Sequence, residues 1–259
     1  IEETIRSVLL QGYPNLEYIV MDGGSTDESV EIIQKYDPWI DYWVSEEDEG
    51  QSDAINKGFD QATGELYAWL NSDDFYAKKA LASMGEIFST CAEDVGAIVG
   101  TGHKVNGQKE IIYTPGDSDL TYTDFLNWLN GGSFMQPACF FTQEAWKTCG
   151  PLRSDLRYAM DIDLFLKLSK EYQFQRIDET ISYAHWHENA KTDGERIFWK
   201  MEVILQLAKY GGHEKGAPAH REAMRIAESF NSLQNEFQKM NSHPIFKWMM
   251  RAWRHVFKA

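Results

Sequence analysis

The sequence predicts an α/β fold, a mostly parallel sheet flanked by helices, with a helical extension at the C-terminus. Helical and strand-like patterns alternate along residues 1–70, and short apolar strands end in turns rich in glycine and aspartate. Beyond about residue 190 the pattern becomes helical. Repeated β-α-β order is typical of parallel sheets covered by helices on both faces.

The first half of this alternation begins with a helix at residues 1–10, whose apolar side chains recur at helical spacing. Glycine and proline in residues 12–15 end that helix. Residues 18–21 form a short apolar strand, and Ser, Thr and Asp at 25–27 offer caps for a helix that extends through Ile33.

The second half repeats the order with a strand at residues 42–44, a helix at 51–61 and a strand at 66–70 that ends at residues 71–74. Ligands of open α/β sheets bind beyond the carboxyl ends of the strands. Aspartates that follow the predicted strands are therefore candidate functional residues.

The C-terminal part is predicted to contain helices at 197–210, 222–237 and 245–258. We therefore expect an α/β domain at residues 1–190 and a helical region at residues 191–259.

Composition excludes some functions. The 259 residues carry a formal net charge of −15, which argues against a nucleic-acid-binding surface, because such surfaces need clustered Lys and Arg. No apolar stretch approaches the ~20 residues of a transmembrane helix. Three scattered cysteines give neither a disulfide framework nor zinc-ligand spacing, which favours a reducing cytosol.

Two strand ends carry candidate binding residues. Adjacent carboxylates at Asp73 and Asp74 could hold a hard cation such as Mg²⁺ or Mn²⁺ and leave sites open for a diphosphate. Asp22, which precedes two glycines, could accept hydrogen bonds from a base or a ribose. Both motifs also occur as ordinary turns and caps, so neither is specific alone.

Two later motifs carry candidate catalytic chemistry. A helix is predicted from about Asp163, which leaves Asp161 just before it and able to act as a general base. His185 and His187 lie on one side of an extended segment, where either could bind a metal or a phosphate.

Together these motifs resemble glycosyltransferase family 2, whose members have the GT-A fold. The resemblance covers residues 1–192 almost throughout, and the matching stretches are IEETIRSVLLQGYPNLEYIVMDGGSTDES, SEEDEGQSDAINKGFDQATGELYAWLNSDDFY, QPACFF, YAMDIDLFLKL and HWHENAKT. Each motif is weak alone, but five in the family's order are a specific signal.

The resemblance implies a role for each matching residue. Asp22 corresponds to an acid that binds the nucleotide, and Asp73 to one that reaches the ribose. Asp74 matches the direct metal ligand, Asp161 the catalytic base, and His187 a residue beside the diphosphate or metal. Gln136 and Trp186 are further candidates for the donor or acceptor pocket.

The sequence departs from the family pattern at two places. Family members usually begin with a strand that contacts the nucleotide, whereas this sequence starts at the helix that follows it. Many members also carry a second acid, which recognises uracil, where this chain has Gly23.

The implied function is metal-dependent transfer of a sugar from a nucleotide-sugar, by default a UDP-sugar, to a glycan or lipid-linked acceptor. Mn²⁺ or Mg²⁺ would be the cofactor, the anomeric configuration would invert, and cell-surface polysaccharide synthesis is the implied setting. Two alternatives remain, a sugar nucleotidyltransferase and an inactive GT-A domain used for binding.

The predicted helix at residues 245–258 is basic and amphipathic, which is typical of a peripheral membrane anchor at the inner face of the membrane. It has no acidic residue, and its two faces are formed by Lys247, Arg251, Arg254 and Lys258 and by Phe246, Met249, Met250, Trp253, Val256 and Phe257. The alternative is that its apolar face packs on the preceding domain.

Overall fold

The computed structural model describes residues 1–186 and 196–211, together with 219, 221–226, 228–229 and 232. The helices are α1 (Glu2–Leu9), α2 (Ser29–Tyr36), α3 (Gln51–Gln61), α4 (Ala80–Phe88), α5 (Tyr122–Leu126), α6 (Gln143–Cys149), α7 (Met160–Glu171) and α8 (Arg196–Gly211). The strands are β1 (Ile19–Asp22), β2 (Tyr42–Ser45), β3 (Leu66–Tyr67), β4 (Asp74–Tyr76), β5 (Val95–Val105), β6 (Ile111–Tyr113), β7 (Cys139–Thr142) and β8 (Gln173–His185).

The strands form two sheets within these residues. β1 and β2 pair in parallel, and the larger sheet has the order β3-β7-β5-β8-β4, with β6 paired to β5. The α/β class is confirmed, and the strand pairing is mixed. Only β1–β2 and β5–β8 are parallel among the described pairs, and the other four are antiparallel. Local β-α-β order does not determine how strands distant in sequence meet.

Most predicted elements of residues 1–70 are present with small changes. Residues 51–61 form α3 as predicted, and α2 begins at Ser29, whose N–H donates to the Asp27 carboxylate at 2.9 Å. The strand predicted at 66–70 is shorter, because β7 pairs only with Leu66 and Tyr67 in the described chain.

The main core lies between the larger sheet and helices α5 to α8. Most side chains of helix α7 are buried, and those of Phe165, Leu166 and Leu168 are fully buried. Val203 and Leu207 of α8 belong to the same hydrophobic cluster. Burial of side chains of this size stabilises the fold by about 1.5–3 kcal/mol each, so α8 is packed firmly against the α/β layers.

Helix α1 supports the segment that carries the two adjacent acids. The Thr4 hydroxyl donates to the Ser72 carbonyl at 2.8 Å, and the Ser7 hydroxyl accepts from the Tyr76 N–H at 3.0 Å. Because both bonds cross to residues 72–76, the position of this segment is fixed by the first helix.

The structure describes only part of the region where C-terminal helices are predicted. Helix α8 confirms the helix at 197–210, and residues 221–226 are helical, whereas the helix at 245–258 lies outside the described residues. The division at residue 190 stays a prediction. Among the helices of the described part, none has the length and apolarity needed to cross a bilayer. All three cysteines are unpaired thiols.

Candidate active site

A cavity of about 1420 Å³ is lined by residues of both sheets. Its wall includes residues 19–21 of β1 and residues 66–74. Asp73, Asp74 and Asp161 all line it. Three carboxylates from two distant stretches of sequence are thus gathered on one concave surface, as in many ligand sites.

Asp22 ends β1 and is not among the residues that line this cavity. Its carboxylate accepts hydrogen bonds from the Ser25 N–H at 2.9 Å, the Ser25 hydroxyl at 2.5 Å and the Ser45 hydroxyl at 2.6 Å. Partial burial alone would raise the pKa of Asp22, but these hydrogen bonds outweigh it and the pKa is lowered. Asp22 is therefore a charged acceptor with a fixed orientation.

A carboxylate that the sequence patterns did not indicate lies beside the turn after β1. A Cβ atom at Gly23 would collide with an oxygen of the Asp48 carboxylate, so a side chain at this position would require that carboxylate to move. The Asp48 carboxylate also accepts the Gly50 N–H at 2.8 Å. The parallel pairing of Asp22 with Ser45 explains this position, because the acidic run after β2 then lies beside the turn after β1. A carboxylate is thus present beside Asp22 although position 23 carries none.

The two adjacent acids differ in environment. Asp73 is exposed in a turn, whereas Asp74 is buried and begins β4, where it pairs with Ala184. The prediction that both lie in a turn is wrong for Asp74, because strand pairing with β8 extends to it. The Asn71 amide donates to the Asp74 carboxylate at 3.0 Å.

Burial raises the pKa of Asp74 to about 7, and the negative charge of Asp73 adds to this effect. No group of three His, Cys, Asp or Glu side chains in the described chain forms a complete metal site. The donor chemistry nevertheless fits a hard cation, because a buried carboxylate with an anionic neighbour is stabilised by a nearby positive charge.

Asp161 is the second residue of α7 and is half-buried on the cavity wall. The predicted start of this helix at Asp163 is therefore late, because α7 begins at Met160. The Asp161 carboxylate accepts the N–H of Ile162 at 2.8 Å. This bond orients the side chain in the first turn of the helix.

Asp163 is buried among cationic and hydroxyl groups and is not a helix cap. Its carboxylate accepts hydrogen bonds from Lys209 at 3.1 Å and Tyr210 at 2.9 Å, and it pairs with Lys167 at 2.8 Å. Burial would raise the pKa of Asp163, but these partners together lower it. A carboxylate held in this way is suited to joining helices and not to exchanging protons with a substrate.

The remaining candidates lie near the same cavity or outside the described residues. Gln136 lines the cavity and donates to the Trp69 carbonyl at 3.0 Å, so part of its polar capacity is used in the fold. Trp186 and His185 also lie on the wall, at the end of β8. His187 is outside the described residues.

The fold is that of the GT-A glycosyltransferases, with Asp22 at the end of β1, Asp74 at the start of β4 and Asp161 in the first turn of α7. A family model described as glycosyl transferase family 2 matches residues 1–144, which is more than half of the chain. The chain belongs to glycosyl transferase family 2.

Curated relatives match shorter stretches. An uncharacterized glycosyltransferase of Mycobacterium tuberculosis is 40% identical over 78 residues, which is 30% of this chain and 30% of that protein. The putative teichuronic acid biosynthesis glycosyltransferase TuaG of Bacillus subtilis is 35% identical over 136 residues, 49% of this chain and 51% of that protein. The chain spans about half or less of the length of these two relatives.

Solved structures share the fold at low sequence identity. Residues 1–349 of S. aureus TarS in complex with UDP superpose with a TM-score of 0.61 at 18% identity, covering 86% of this chain and 66% of that 1–349 chain. The mannosyltransferase PcManGT from Pyrobaculum calidifontis, in complex with GDP-Man and Mn²⁺, gives a TM-score of 0.60 at 17% identity and covers 100% of this chain and 83% of that chain.

Proposed function

We propose that this protein is a metal-dependent, inverting glycosyltransferase that moves a sugar from a UDP-sugar to a glycan or lipid-linked acceptor. The observation that carries the proposal is the gathering of Asp73, Asp74 and Asp161 on the wall of one cavity in a family 2 domain. TarS has been solved with UDP and with UDP-GlcNAc, which supports a uridine nucleotide as the first donor to test.

The nucleotide would lie at the ends of β1 and β2. The Asp22 carboxylate, charged and held by Ser25 and Ser45, would accept hydrogen bonds from the nucleoside. Asp73, exposed on the cavity wall, would accept from the ribose hydroxyls. The position of Asp22 follows the rule that α/β sheets bind ligands beyond the carboxyl ends of their strands.

Asp74 would hold Mn²⁺ or Mg²⁺, and we propose His187 as a further ligand close to the diphosphate. A bound divalent cation stabilises the negative charge of a departing nucleoside diphosphate. Gln136 would line the donor pocket. Asp161 would take the proton from the acceptor hydroxyl as that oxygen attacks the anomeric carbon, so a single displacement would invert the configuration.

The assay that tests this function measures UDP release by the full 259-residue chain from a panel of UDP-sugars. We expect release from at least one donor in the presence of Mn²⁺, and its loss when EDTA removes the metal. A chain that binds UDP but releases none from any donor would instead be a binding module. Equal release with and without EDTA would contradict the metal-dependent mechanism.

The acceptor proposal rests on the relatives and on the C-terminal sequence. TuaG is named for teichuronic acid synthesis, which makes a cell-surface polysaccharide the first setting to examine. We propose that residues 245–258, which carry four basic and no acidic residues, bind an anionic membrane surface. Such binding would place the active site near a lipid-linked acceptor.

Sedimentation with anionic vesicles tests this contact. We expect the intact protein to bind at low salt and to be released at high salt, because exposed charges are screened. A variant that lacks residues 243–259 should remain in solution with its secondary structure retained. Equal binding by the truncated protein, or no binding by the intact one, would rule out the anchor.

A further inference from the structure

Helix α8 holds the segment that leads into α7 by one carboxylate. Glu202 accepts the backbone N–H of Arg157 at 3.1 Å, of Tyr158 at 2.5 Å and of Ala159 at 2.7 Å. Three successive N–H groups thus converge on the side chain of a residue more than 40 positions later in the sequence. Each such bond to a charged acceptor is stronger than one between neutral groups.

This arrangement compensates in part for the side-chain cap that α7 lacks. The residue that precedes the helix is Ala159, which has no side-chain acceptor, and no side-chain cap bond from it exists. Glu202 accepts the N–H of this N-cap residue and places a negative charge near the start of the helix, where the helix dipole favours it. The conformation of residues 157–159 therefore depends on α8.

A second contact between the same helices lies one turn further along α7. The buried Asp163 carboxylate accepts from Lys209 and Tyr210 of α8. Asp161 stands between these two attachments, two residues after Ala159 and two before Asp163. Because both sides of it are tied to α8, the place of its carboxylate on the cavity wall is set by α8.

We infer that Glu202 is a positioning residue that fixes the first turn of α7 and so aims the Asp161 carboxylate at the acceptor hydroxyl. This inference rests on the proposed function, in which Asp161 is the base. It assigns a role in transfer to a residue that lies beyond the stretch matched by the family model.

Glu202→Gln is the informative variant, because it keeps the size of the side chain but replaces one acceptor oxygen by an NH₂ group that faces N–H donors. We expect kcat for transfer to fall roughly tenfold or more, since small misplacement of a reacting group lowers rates strongly. The affinity for UDP should stay unchanged, because Asp22 and Asp73, which are proposed to bind the nucleotide, belong to neither α7 nor α8. Amides 157–159 should exchange with deuterium faster than in the wild type.

A matched control separates positioning from general destabilisation. The Asp124 carboxylate likewise holds the start of a helix, because it accepts the Thr121 N–H at 3.0 Å and the Thr121 hydroxyl at 2.8 Å at the beginning of α5, but it does not line the cavity. Asp124→Asn should lower Tm and leave kcat unchanged.

A double variant tests whether Glu202 acts through Asp161. In an Asp161→Asn background, Glu202→Gln should cause no further loss of transfer, whereas a structural defect would add its full effect. A further tenfold loss there, or unchanged kcat in Glu202→Gln with an active wild type, would overturn the inference about Glu202 alone. Absence of donor turnover by the wild type would instead overturn the proposed function, and the role of Glu202 in transfer with it.

Discussion

Asp74→Asn is expected to remove Mn²⁺-dependent binding of UDP while the protein stays folded. Asparagine has the shape of aspartate, and its carbonyl oxygen can still accept from the Asn71 amide, so the start of β4 is preserved. The lost feature is the anionic oxygen proposed to hold the cation. Because loss of residues that only support metal ligands lowers metal affinity by roughly 10–100-fold, a direct ligand should lose about 100-fold or more.

Titration calorimetry with UDP, in Mn²⁺ and in EDTA, measures this effect. Asp60→Asn is the control, because Asp60 is exposed near the end of α3 and away from the strand ends that carry the candidate ligands. The control should bind UDP as the wild type does. Wild-type affinity in Asp74→Asn, with the same dependence on Mn²⁺, would show that another residue holds the metal.

Local sequence patterns predicted some of the elements around the binding residues. The helix at 51–61 and the strand that ends at Asp22 follow from periodicity and turn chemistry, which depend on neighbouring residues only, whereas β4, which begins at Asp74, was not predicted. The pairing direction of strands in the larger sheet does not follow from such local patterns, because β5 pairs with β7 and β8, which lie tens of residues later in the sequence.

The contacts of the candidate residues were predicted less well, because these contacts also join residues that are distant in sequence. Asp163 could be taken as a helix cap from its neighbours, but its partners Lys209 and Tyr210 lie 46 and 47 residues away. The contact of Glu202 with residues 157–159 has no local signal either. The position of Asp48 beside Gly23 was within reach, because parallel pairing of β1 with β2 places the two strand ends together.

Asp161→Asn is expected to keep UDP binding and lose transfer. The side chain stays in the first turn of α7, where an asparagine oxygen can still accept the N–H of Ile162, so the geometry of the cavity wall is retained. An amide does not take up a proton at neutral pH, and removal of a positioned general base lowers rates by roughly 10²-fold or more. The measurement is kcat for sugar transfer, alongside the Kd for UDP in Mn²⁺.

Asp163, two residues after Asp161 in α7, is an alternative candidate for the base, and the structure gives a reason to set it aside. Its carboxylate is 1% exposed and is bound by Lys167 and by two residues of α8, so an acceptor hydroxyl has no access to it. Asp163→Asn should therefore lower Tm, because it removes one partner of a buried ion cluster. Transfer by Asp161→Asn at close to the wild-type rate would reject Asp161 as the base. The half-buried position of Asp161 on the wall of the cavity is what makes a large loss the expected result.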